Sequence, residues 1–439
     1  MTAYPPVFRL IAGANSYEWG KIGQNSKAGQ YARADPSFKL QDDKPYSELW
    51  MGTHSTLPSK LQSGETLHSH LQAHPELIGD AVRNRFGNDL PFLFKVLAIE
   101  KALSIQAHPN KQLAEKLHKE RPDVYKDDNH KPEMAIAITP FSGFCNFRPL
   151  NEISVYLTAV PEFASLISTS NPHAISSFTP DSSDPKPALR TLFEALMTAK
   201  DDQVKSALDT LIARYESGGA KKEEKDVAEL AQTLAKQYPG DVGVFCVFLL
   251  NVVELKEGEA MFLQADEPHA YISGGKSCFD MCTGFLTEGY TDIIECMATS
   301  DNVVRAGLTP KLRDVPTLVS MLTYNSGSAD AQRMKPQSFP SDPNSEPDSY
   351  TTLYDPPIPE FSVLLTDVPA RKSASHRPLD GPSIFIVTSG NGSFSFNGGD
   401  EKQDIKSEGE VWFVGAGTSV KFTAGSTGLV LYRAFVEAQ

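Results

Sequence analysis

Cysteine is scarce in this chain of 439 residues, and the count of five is odd. Secreted proteins held by disulfides use denser and even sets of cysteine, so we expect reduced thiols and a cytoplasmic location. No apolar stretch reaches the ~20 residues that span a bilayer. The first residues also lack a basic segment followed by a long apolar run. The sequence therefore predicts neither a membrane protein nor a signal peptide.

Positive charge is in deficit as well, since the formal net charge is −14. This balance argues against binding to nucleic acid or to an anionic membrane. A protein this acidic must gather Lys and Arg locally if it handles an anionic substrate. The hydrophobic share of 40% and the charged share of 22% are typical of globular proteins. The length predicts about three domains, each able to bury a core.

A stretch with the composition of a metal site lies in the first third of the chain. Gln106 and His108 stand two apart in a strand-like run, so their side chains share a face. Glu133 opens the next apolar run. An imidazole, an amide oxygen and a carboxylate suit Zn²⁺ or another divalent metal. The alternative is a partly buried Gln and His that are satisfied by backbone groups.

A lysine interrupts the preceding apolar run, PFLFKVLAI, which predicts a buried strand. Burial of Lys95 within a core strand costs free energy unless its amine reaches a cavity or an anion. We therefore take Lys95 as a candidate anion-binding residue.

The distribution of patterns predicts a mixed, mainly β fold: two cupin or jelly-roll β-barrels with an inserted α-helical domain. Apolar residues recur at helical spacing in several segments between residues 150 and 238. The turn at Gly258-Glu259 and the strand that follows it recur at Gly409-Glu410, and His269 then aligns with Val420. The expected domains are a catalytic cupin in two parts, 1–150 and 241–325, a helical domain at 151–240, and a C-terminal cupin-like domain without metal ligands at 326–439. In the last domain, SIFIVTSGNGSFSFNG predicts a hairpin about Gly-Asn-Gly.

A second charged cluster follows the first predicted barrel hairpin and contains Glu295, Asp301, Arg305 and Lys311. The guanidinium of Arg305 beside flexible Ala-Gly backbone suits an anion or a developing oxyanion. The alternative is a set of salt bridges on the surface.

Taken together, the motifs EWGKIG, YSELWMGTH, SIQAHPNK, NHKPEMAIAI, LQADEPHAYISG and ECMATSDNVVRAGLTPK closely resemble those of the type I mannose-6-phosphate isomerase family, particularly its fungal members. The resemblance covers nearly the whole chain. It implies one Zn²⁺ per chain, a sugar phosphate as small-molecule partner, and a monomer that binds neither nucleic acid nor membrane. It also implies a supply of mannose phosphate for GDP-mannose synthesis and a role in mannose catabolism.

The resemblance also assigns residues, all of them intact in this chain. It implies that the metal ligands are Gln106, His108, Glu133 and His269. It makes Arg305 an active-site residue. It further implies that the pocket is lined by Lys95, Ser104, Lys131, Tyr271, Glu295, Asp301 and Lys311.

The implied reaction interconverts mannose 6-phosphate and fructose 6-phosphate through an enediol or enediolate. Our hypothesis is that Glu295 moves the proton, with Lys131 or His130 as alternatives. Arg305 would stabilise the enediolate or orient the sugar, and Lys95, Ser104 and Lys311 would contact phosphate or sugar. Two other classes were considered, a cupin that only binds and a metal oxygenase with a two-His, one-carboxylate site. The intact pocket disfavours the first, and a Gln ligand among basic residues disfavours the second.

One segment departs from the family pattern: 17 residues, Gly275–Thr291, separate the PHAYISG and DIIECM motifs. Cys278 and Cys282 could begin a zinc clip, but two further ligands are missing. A genuine surface insertion is another interpretation. A third is an unspliced intron, because Gly-Lys-Ser can be encoded with a GTAAGT donor and Tyr-Thr-Asp with an AG acceptor.

If the intron hypothesis is correct, a chain in which Gly274 joins Asp292 directly has isomerase activity that the full chain lacks. A coupled assay on mannose 6-phosphate, with zinc content measured in parallel, compares the two chains. Activity in both would show that the insertion is tolerated. A transcript that retains these codons would contradict the hypothesis.

Overall fold

The structure is a computed structural model that describes residues 4–272, 291–340, 349–399 and 401–438. Nearly all of the predicted insertion, with Cys278 and Cys282, lies outside the described residues. No helix in the described ranges is both long enough and apolar enough to cross a membrane.

The chain begins with strands and short helices. The strands are β1 (Val7–Ile11), β2 (Gly13–Asn15), β3 (Lys21–Ile22), β4 (Pro45–Tyr46), β5 (Glu48–Met51), β6 (Lys60–Leu61), β7 (Phe92–Ala98), β8 (Ile105–Ala107), β9 (Glu133–Ala137) and β10 (Phe141–Phe147). The α-helices are α1 (Lys27–Ala32), α2 (Leu67–Ala73), α3 (Asp80–Phe86) and α4 (Lys111–Glu120), and short 3₁₀ helices lie at Gly23–Asn25 and Pro75–Leu77.

A helical segment follows β10. Its α-helices are α5 (Leu150–Ala159), α6 (Pro161–Ser170), α7 (Lys186–Met197), α8 (Asp201–Glu216) and α9 (Lys225–Gln237), and 3₁₀ helices lie at Lys222–Glu224 and Val242–Phe248. Their apolar faces form one continuous core that includes Phe163, Leu192 and Phe245.

Strands then resume. They are β11 (Leu250–Leu255), β12 (Ala260–Leu263), β13 (His269–Ile272), β14 (Asp292–Ala298), β15 (Val304–Gly307), β16 (Gln337–Ser338), β17 (Thr351–Tyr354), β18 (Ser362–Val368), β19 (Ser373–His376), β20 (Ser383–Phe396), β21 (Gln403–Ile405), β22 (Val411–Val414) and β23 (Val420–Phe435), with helix α10 (Val315–Met321) and a 3₁₀ helix at Ala329–Gln332.

The middle layer is an antiparallel six-stranded sheet with the order β12-β9-β14-β7-β5-β2. Every residue of β7, β9 and β14 is buried, so the prediction of a buried strand at PFLFKVLA is confirmed. These strands carry apolar residues on both faces because both faces of the sheet are covered. Their register places Glu295 of β14 directly between Lys95 of β7 and Ala135 of β9.

A five-stranded sheet, in the order β11-β10-β13-β8-β15, covers the face of the middle sheet that carries Lys95 and Glu295. Leu97 and Ile293 on the middle sheet pack in one cluster with Phe141 and Tyr271 on the five-stranded sheet. Polar side chains from the same two faces are therefore brought together beside this apolar cluster.

The C-terminal sheet covers the opposite face, where the cluster includes Phe94, Ile294, Ile384 and Tyr432. Its central path is β16-β17-β18-β23-β20-β22-β1-β6, with β19 on β23 and β21 on β20. The N-terminal strand β1 thus pairs with β22, and the rings of Phe8 and Phe413 stack at 4.9 Å. The predicted division into domains did not include this pairing.

The architecture confirms the coarse prediction of mainly β structure with helices inserted between β-rich parts. In the described residues the strand orders are open, so closure into cupin barrels stays a prediction, as do the domain boundaries. The predicted repeat of the turn is present. Gly258 and Gly409 both adopt positive φ, of 78° and 84°, and His269 and Val420 each begin the strand after the next turn.

The predicted hairpin at Gly-Asn-Gly is wrong. β20 continues through this sequence, and its register with β23 shifts between Val387 and Ser389 and again between Gly390 and Gly392. A Cβ on Gly390 would lie 2.1 Å from the carbonyl oxygen of Gly428, so glycine permits close approach of two backbones. Gly-Asn-Gly therefore bends a long strand rather than reversing it.

A buried ion pair fastens the N-terminal segment to the middle sheet. Nζ of Lys21 lies 2.7 Å from Oδ2 of Asp292, and the two side chains are 2% and 1% exposed. Removing one partner leaves the other charge buried, which costs far more than loss of an exposed pair.

We expect Lys21→Met to lower the free energy of unfolding by ~3–5 kcal/mol, because the Asp292 carboxylate then lacks its cation. Urea denaturation measures the change. The control is Lys205→Met, whose pair with Asp209 is mostly exposed and whose loss should cost about 0.5 kcal/mol or less. Equal losses in the two variants would contradict this account.

Candidate metal centre and active site

Three buried side chains converge between the five-stranded and six-stranded sheets. The potential ligand atoms of His108, Glu133 and His269 all lie within 4.8 Å of one another. Nε2 of His108 is 3.5 Å from Oε1 of Glu133, and Nε2 of His269 is 3.3 Å from Oε2. Within the described part of the chain, this is the one group of His, Cys, Asp and Glu with such geometry.

Hydrogen bonds fix the tautomer of both imidazoles. Nδ1 of His108 lies 2.6 Å from the carbonyl oxygen of Asn302, and Nδ1 of His269 lies 3.1 Å from that of Glu267. Because a carbonyl only accepts, each Nδ1 carries a proton and each neutral ring keeps a lone pair on Nε2. Both Nε2 atoms and Oε2 of Glu133 are buried without a hydrogen-bond partner among the described residues. Converging lone pairs of this kind fit a divalent cation.

The surroundings favour the protonation states that a cation requires. Burial lowers the pKa of His108, which keeps the ring neutral. Burial alone would raise the pKa of Glu133, but the ammonium of Lys131 holds this pKa well below its usual value. The carboxylate is therefore ionised while its imidazole neighbour is neutral.

Strand pairing brings Gln106 to the same place. It lies in β8, opposite His269 of β13 on one side and Arg305 of β15 on the other. Directly paired residues present their side chains on one face of a sheet. The fourth residue predicted as a ligand thus stands beside His269, and Arg305 stands beside Gln106.

A loop clamp holds the carbonyl group that orients His108. The carboxylate of Asp127 accepts hydrogen bonds from Oγ of Ser300 at 2.8 Å and from the backbone N–H of Asp301 at 2.7 Å. The amide of Asn302 donates to the carbonyl oxygen of Asp127 at 2.7 Å. These bonds fix Asn302, whose own carbonyl accepts from His108.

A buried charge cluster lies next to the metal centre. Oε1 of Glu295 accepts a hydrogen bond from the Tyr271 hydroxyl at 2.8 Å, and Oε2 lies 2.9 Å from Nζ of Lys95. The same ammonium is 3.7 Å from Oε1 of Glu48 and lies over the ring of Trp50 at 4.9 Å. The cross-strand pairing of Glu295 with Lys95 produces this contact directly.

Electrostatics hold this cluster in a defined state. Burial opposes the charge of Lys95, yet Glu295 and Glu48 raise its pKa, so the ammonium persists. Burial and the neighbouring Glu295 raise the pKa of Tyr271 well above its usual value, so the hydroxyl keeps its proton. The anions next to Lys95 are two carboxylates of the chain itself, those of Glu295 and Glu48. The expected contact of Lys95 with phosphate or sugar stays a prediction.

Two further predicted residues lie at the edge of the cluster. Nζ of Lys131 is 3.3 Å from Oε1 of Glu133. Asp301, whose side chain is 56% exposed, has Oδ1 3.5 Å from Nε2 of His54, and the hydrogen bond from His54 lowers the pKa of Asp301. His54 in turn contacts the ring of Trp50 edge-on.

The remaining predicted residues lie outside this charge cluster. Arg305 is half-buried, its pKa is lowered by burial, and it forms no ion pair within the described residues. Ser104 is half-buried just before β8, and Lys311 is exposed after β15. His130 Nε2 lies 2.6 Å from Oε1 of Glu360.

Sequence-family models match three parts of the chain. They describe "Phosphomannose isomerase type I, catalytic domain" over residues 7–150, "helical insertion domain" over 159–250 and "C-terminal" over 352–395. The mannose-6-phosphate isomerase of Cryptococcus neoformans is 50% identical over 458 residues, covering 99% of this chain and 100% of the relative. That of Saccharomyces cerevisiae is 43% identical over 447 residues, covering 98% and 99%.

Solved structures give the same result. The phosphomannose isomerase of Salmonella typhimurium, bound to fructose 6-phosphate and zinc, superposes with a TM-score of 0.77 at 28% identity, covering 99% of this chain and 100% of that one. A mannose 6-phosphate isomerase bound with zinc and yttrium gives the same TM-score, identity and coverages.

Fold and site together define a mainly β protein with a buried His-Glu-His group that could hold a metal ion, beside a cluster of charged side chains. The matches over nearly the full length place it within that class: the chain belongs to the type I phosphomannose isomerase family.

Reasoning from the sequence missed several residues that shape this site. His54 lies within a motif that carried the resemblance, YSELWMGTH, but nothing in its spacing pointed to Asp301. Asp127, Asn302 and Glu360 act through partners more than 170 residues away in the chain. Only the folded structure reveals these contacts.

We expect the affinity for Co²⁺, a spectroscopic probe of such sites, to stay constant as the pH falls from 8 to about 6.5 and to decrease only below. The direction of this pH dependence follows from the lowered pKa values of His108 and Glu133, because both shifts keep these two side chains unprotonated at lower pH. Visible absorption at each pH measures binding. Glu133→Gln is the control and should bind weakly throughout. A decline that begins above pH 7 would contradict the prediction.

Proposed function

We propose that this protein is a zinc-dependent aldose–ketose isomerase that interconverts mannose 6-phosphate and fructose 6-phosphate. The observation that carries the proposal is the buried set of His108, Glu133 and His269 next to Glu295, in which both Nε2 atoms and Oε2 of Glu133 lack a hydrogen-bond partner among the described residues. Membership of the family, and the zinc and fructose 6-phosphate named for the Salmonella structure, supply the identity of metal and substrate.

Zn²⁺ held by Gln106, His108, Glu133 and His269 would supply a Lewis acid that polarises the sugar oxygens. The chain's own groups do the rest. Glu295 is the base that takes the proton from one carbon and returns it to the neighbouring carbon, while the hydroxyl proton passes from one sugar oxygen to the other, so no proton is gained or lost overall. Lys95 and the Tyr271 hydroxyl hold the two oxygens of Glu295 and fix its orientation.

The other two candidate bases are less suitable. Lys131 is an ammonium against Glu133, and His130 bonds to Glu360. We assign Lys131 instead to stabilise negative charge that develops on the sugar oxygens.

Anion recognition falls to groups that lack a carboxylate partner. Arg305 is the strongest candidate, because it lies beside Gln106 and forms no ion pair in the described ranges. It would orient the sugar or stabilise the enediolate. Ser104 and Lys311 complete the contacts to the phosphate, Asp301 binds a sugar hydroxyl, and Lys95 acts on the sugar side through Glu295.

We propose further properties from the sequence pattern and from the family. These are one Zn²⁺ per chain, a cytoplasmic monomer, cupin-type closure of both β-rich parts, and supply of GDP-mannose synthesis and mannose catabolism.

We expect the purified protein to convert mannose 6-phosphate in a coupled assay, and Glu295→Gln to lower kcat by at least about 100-fold, because general-base catalysis contributes 10²–10⁴-fold. The variant should keep its zinc, since Glu295 is not a ligand. Asp330→Asn, which alters an exposed carboxylate, is the control.

Two results would count against the proposal. Near-normal turnover of zinc-loaded Glu295→Gln would exclude Glu295 as the base. Zinc binding by the wild-type chain without turnover would favour a sugar-phosphate binding protein instead.

A further inference from the structure

A short hydrogen bond joins the C-terminal part of the chain to the loop that carries Lys131. Nε2 of His130 lies 2.6 Å from Oε1 of Glu360, 230 residues further along the chain. Glu360 is only 8% exposed, and its Oε2 is buried without a hydrogen-bond partner within the described residues. A carboxylate buried to this extent is stabilised chiefly by the group it contacts.

The local sequence holds Glu360 in place. It lies in DPPIPEF between β17 and β18, where three prolines restrict the backbone. The next residue, Phe361, is 1% exposed within the core between the middle and C-terminal sheets. Before the prolines, Oδ1 of Asp355 accepts a hydrogen bond from Oγ of Ser362 at 2.7 Å and closes the loop. Glu360 is thus presented by a rigid segment.

The loop on the other side is anchored at both ends by different contacts. The amide of Asn129 donates to the carbonyl oxygen of Thr299 at 2.9 Å. The carbonyl oxygen of Pro132 accepts from the backbone N–H of Ala298 at 3.1 Å. The bond to Glu360 lies between these anchors, immediately before Lys131.

Lys131 is the residue whose position this bond can affect most. Its ammonium lies 3.3 Å from Oε1 of Glu133, at the edge of the metal centre. A long, unbranched side chain keeps such a position only if its backbone is fixed.

We propose that Glu360 is a positioning residue for catalysis: through His130 it fixes the backbone of Lys131 and so holds the ammonium beside Glu133. This inference rests on the proposed function, and it gives the C-terminal sheet a part in the chemistry. Groups that support a metal site from outside its ligands typically change activity or metal affinity by 10–100-fold.

A double-mutant cycle tests the proposal. We expect Glu360→Ala to lower kcat about tenfold with KM within twofold, and Glu360→Gln, which keeps an oxygen acceptor, to restore most of the loss. In a Lys131→Ala background, Glu360→Ala should have no further effect, because the group it positions is gone. Effects that multiply in the double variant would overturn the proposal.

The matched control is Glu437→Ala. Glu437 belongs to the same C-terminal part, forms a bidentate ion pair with Arg377 at 2.6 and 2.7 Å, and has no hydrogen bond with His130 in the described residues. This variant loses a partly buried carboxylate and tests for general destabilisation. If Glu437→Ala and Glu360→Ala lower kcat equally, the proposed role of Glu360 is wrong.

A second readout does not need turnover. The rate of Zn²⁺ loss to a coloured chelator should rise about tenfold in Glu360→Ala and not in Glu437→Ala, since the ammonium of Lys131 then no longer restrains Glu133. If the wild-type chain binds zinc but fails to isomerise, the proposed function fails, and the release rates alone decide the role of Glu360. Equal release rates in the two variants would overturn that role.

Discussion

The pairing of β14 between β7 and β9 is the constraint on which the rest of the site depends. Its register sets Glu295 opposite Lys95 and Met297 opposite Glu133 on one face of a sheet that is covered on both sides. A shift by one residue would turn every one of these side chains to the opposite face. The apolar residues that alternate with them, such as Phe94 and Ile294, pack against the C-terminal sheet. Packing on one face therefore holds the charged groups of the other face in register.

The buried carboxylates of the site lie next to ammonium groups. Glu295 pairs with Lys95. The ammonium of Lys131 contacts Oε1 of Glu133, and Oε2 of Glu133 has no hydrogen-bond partner among the described residues. The imidazoles donate through Nδ1 to backbone carbonyls, which leaves Nε2 free. Burial of such a set of polar atoms costs free energy, and binding of a cation there would offset that cost.

Much of this was predictable, and the limits follow from the range of the interactions. Gln106 lies in β8, His108 follows that strand directly, and Glu133 opens a strand, so local pattern pointed to these three. The resemblance assigned His269 as the fourth ligand. The Gly-Asn-Gly sequence was misinterpreted as a hairpin because its neighbour β23, which runs alongside it throughout, is specified elsewhere in the chain. Burial of Lys95 predicted that its ammonium contacts an anion, but the sequence could not show that the carboxylates of Glu295 and Glu48 are the anions it contacts. His130 and Glu360 are joined only by the folded chain.

The place of β1 in the C-terminal sheet has a consequence for biosynthesis. Residues 7–10 emerge from the ribosome long before their partners, residues 411–414. Until then the edge of β1 that pairs with β22 lacks its partner strand, and Phe8 lacks the ring of Phe413. A contact of such long sequence separation is slow to form and exposes an unpaired strand meanwhile. Completion of the C-terminal sheet therefore waits until residues 411–414 have been made.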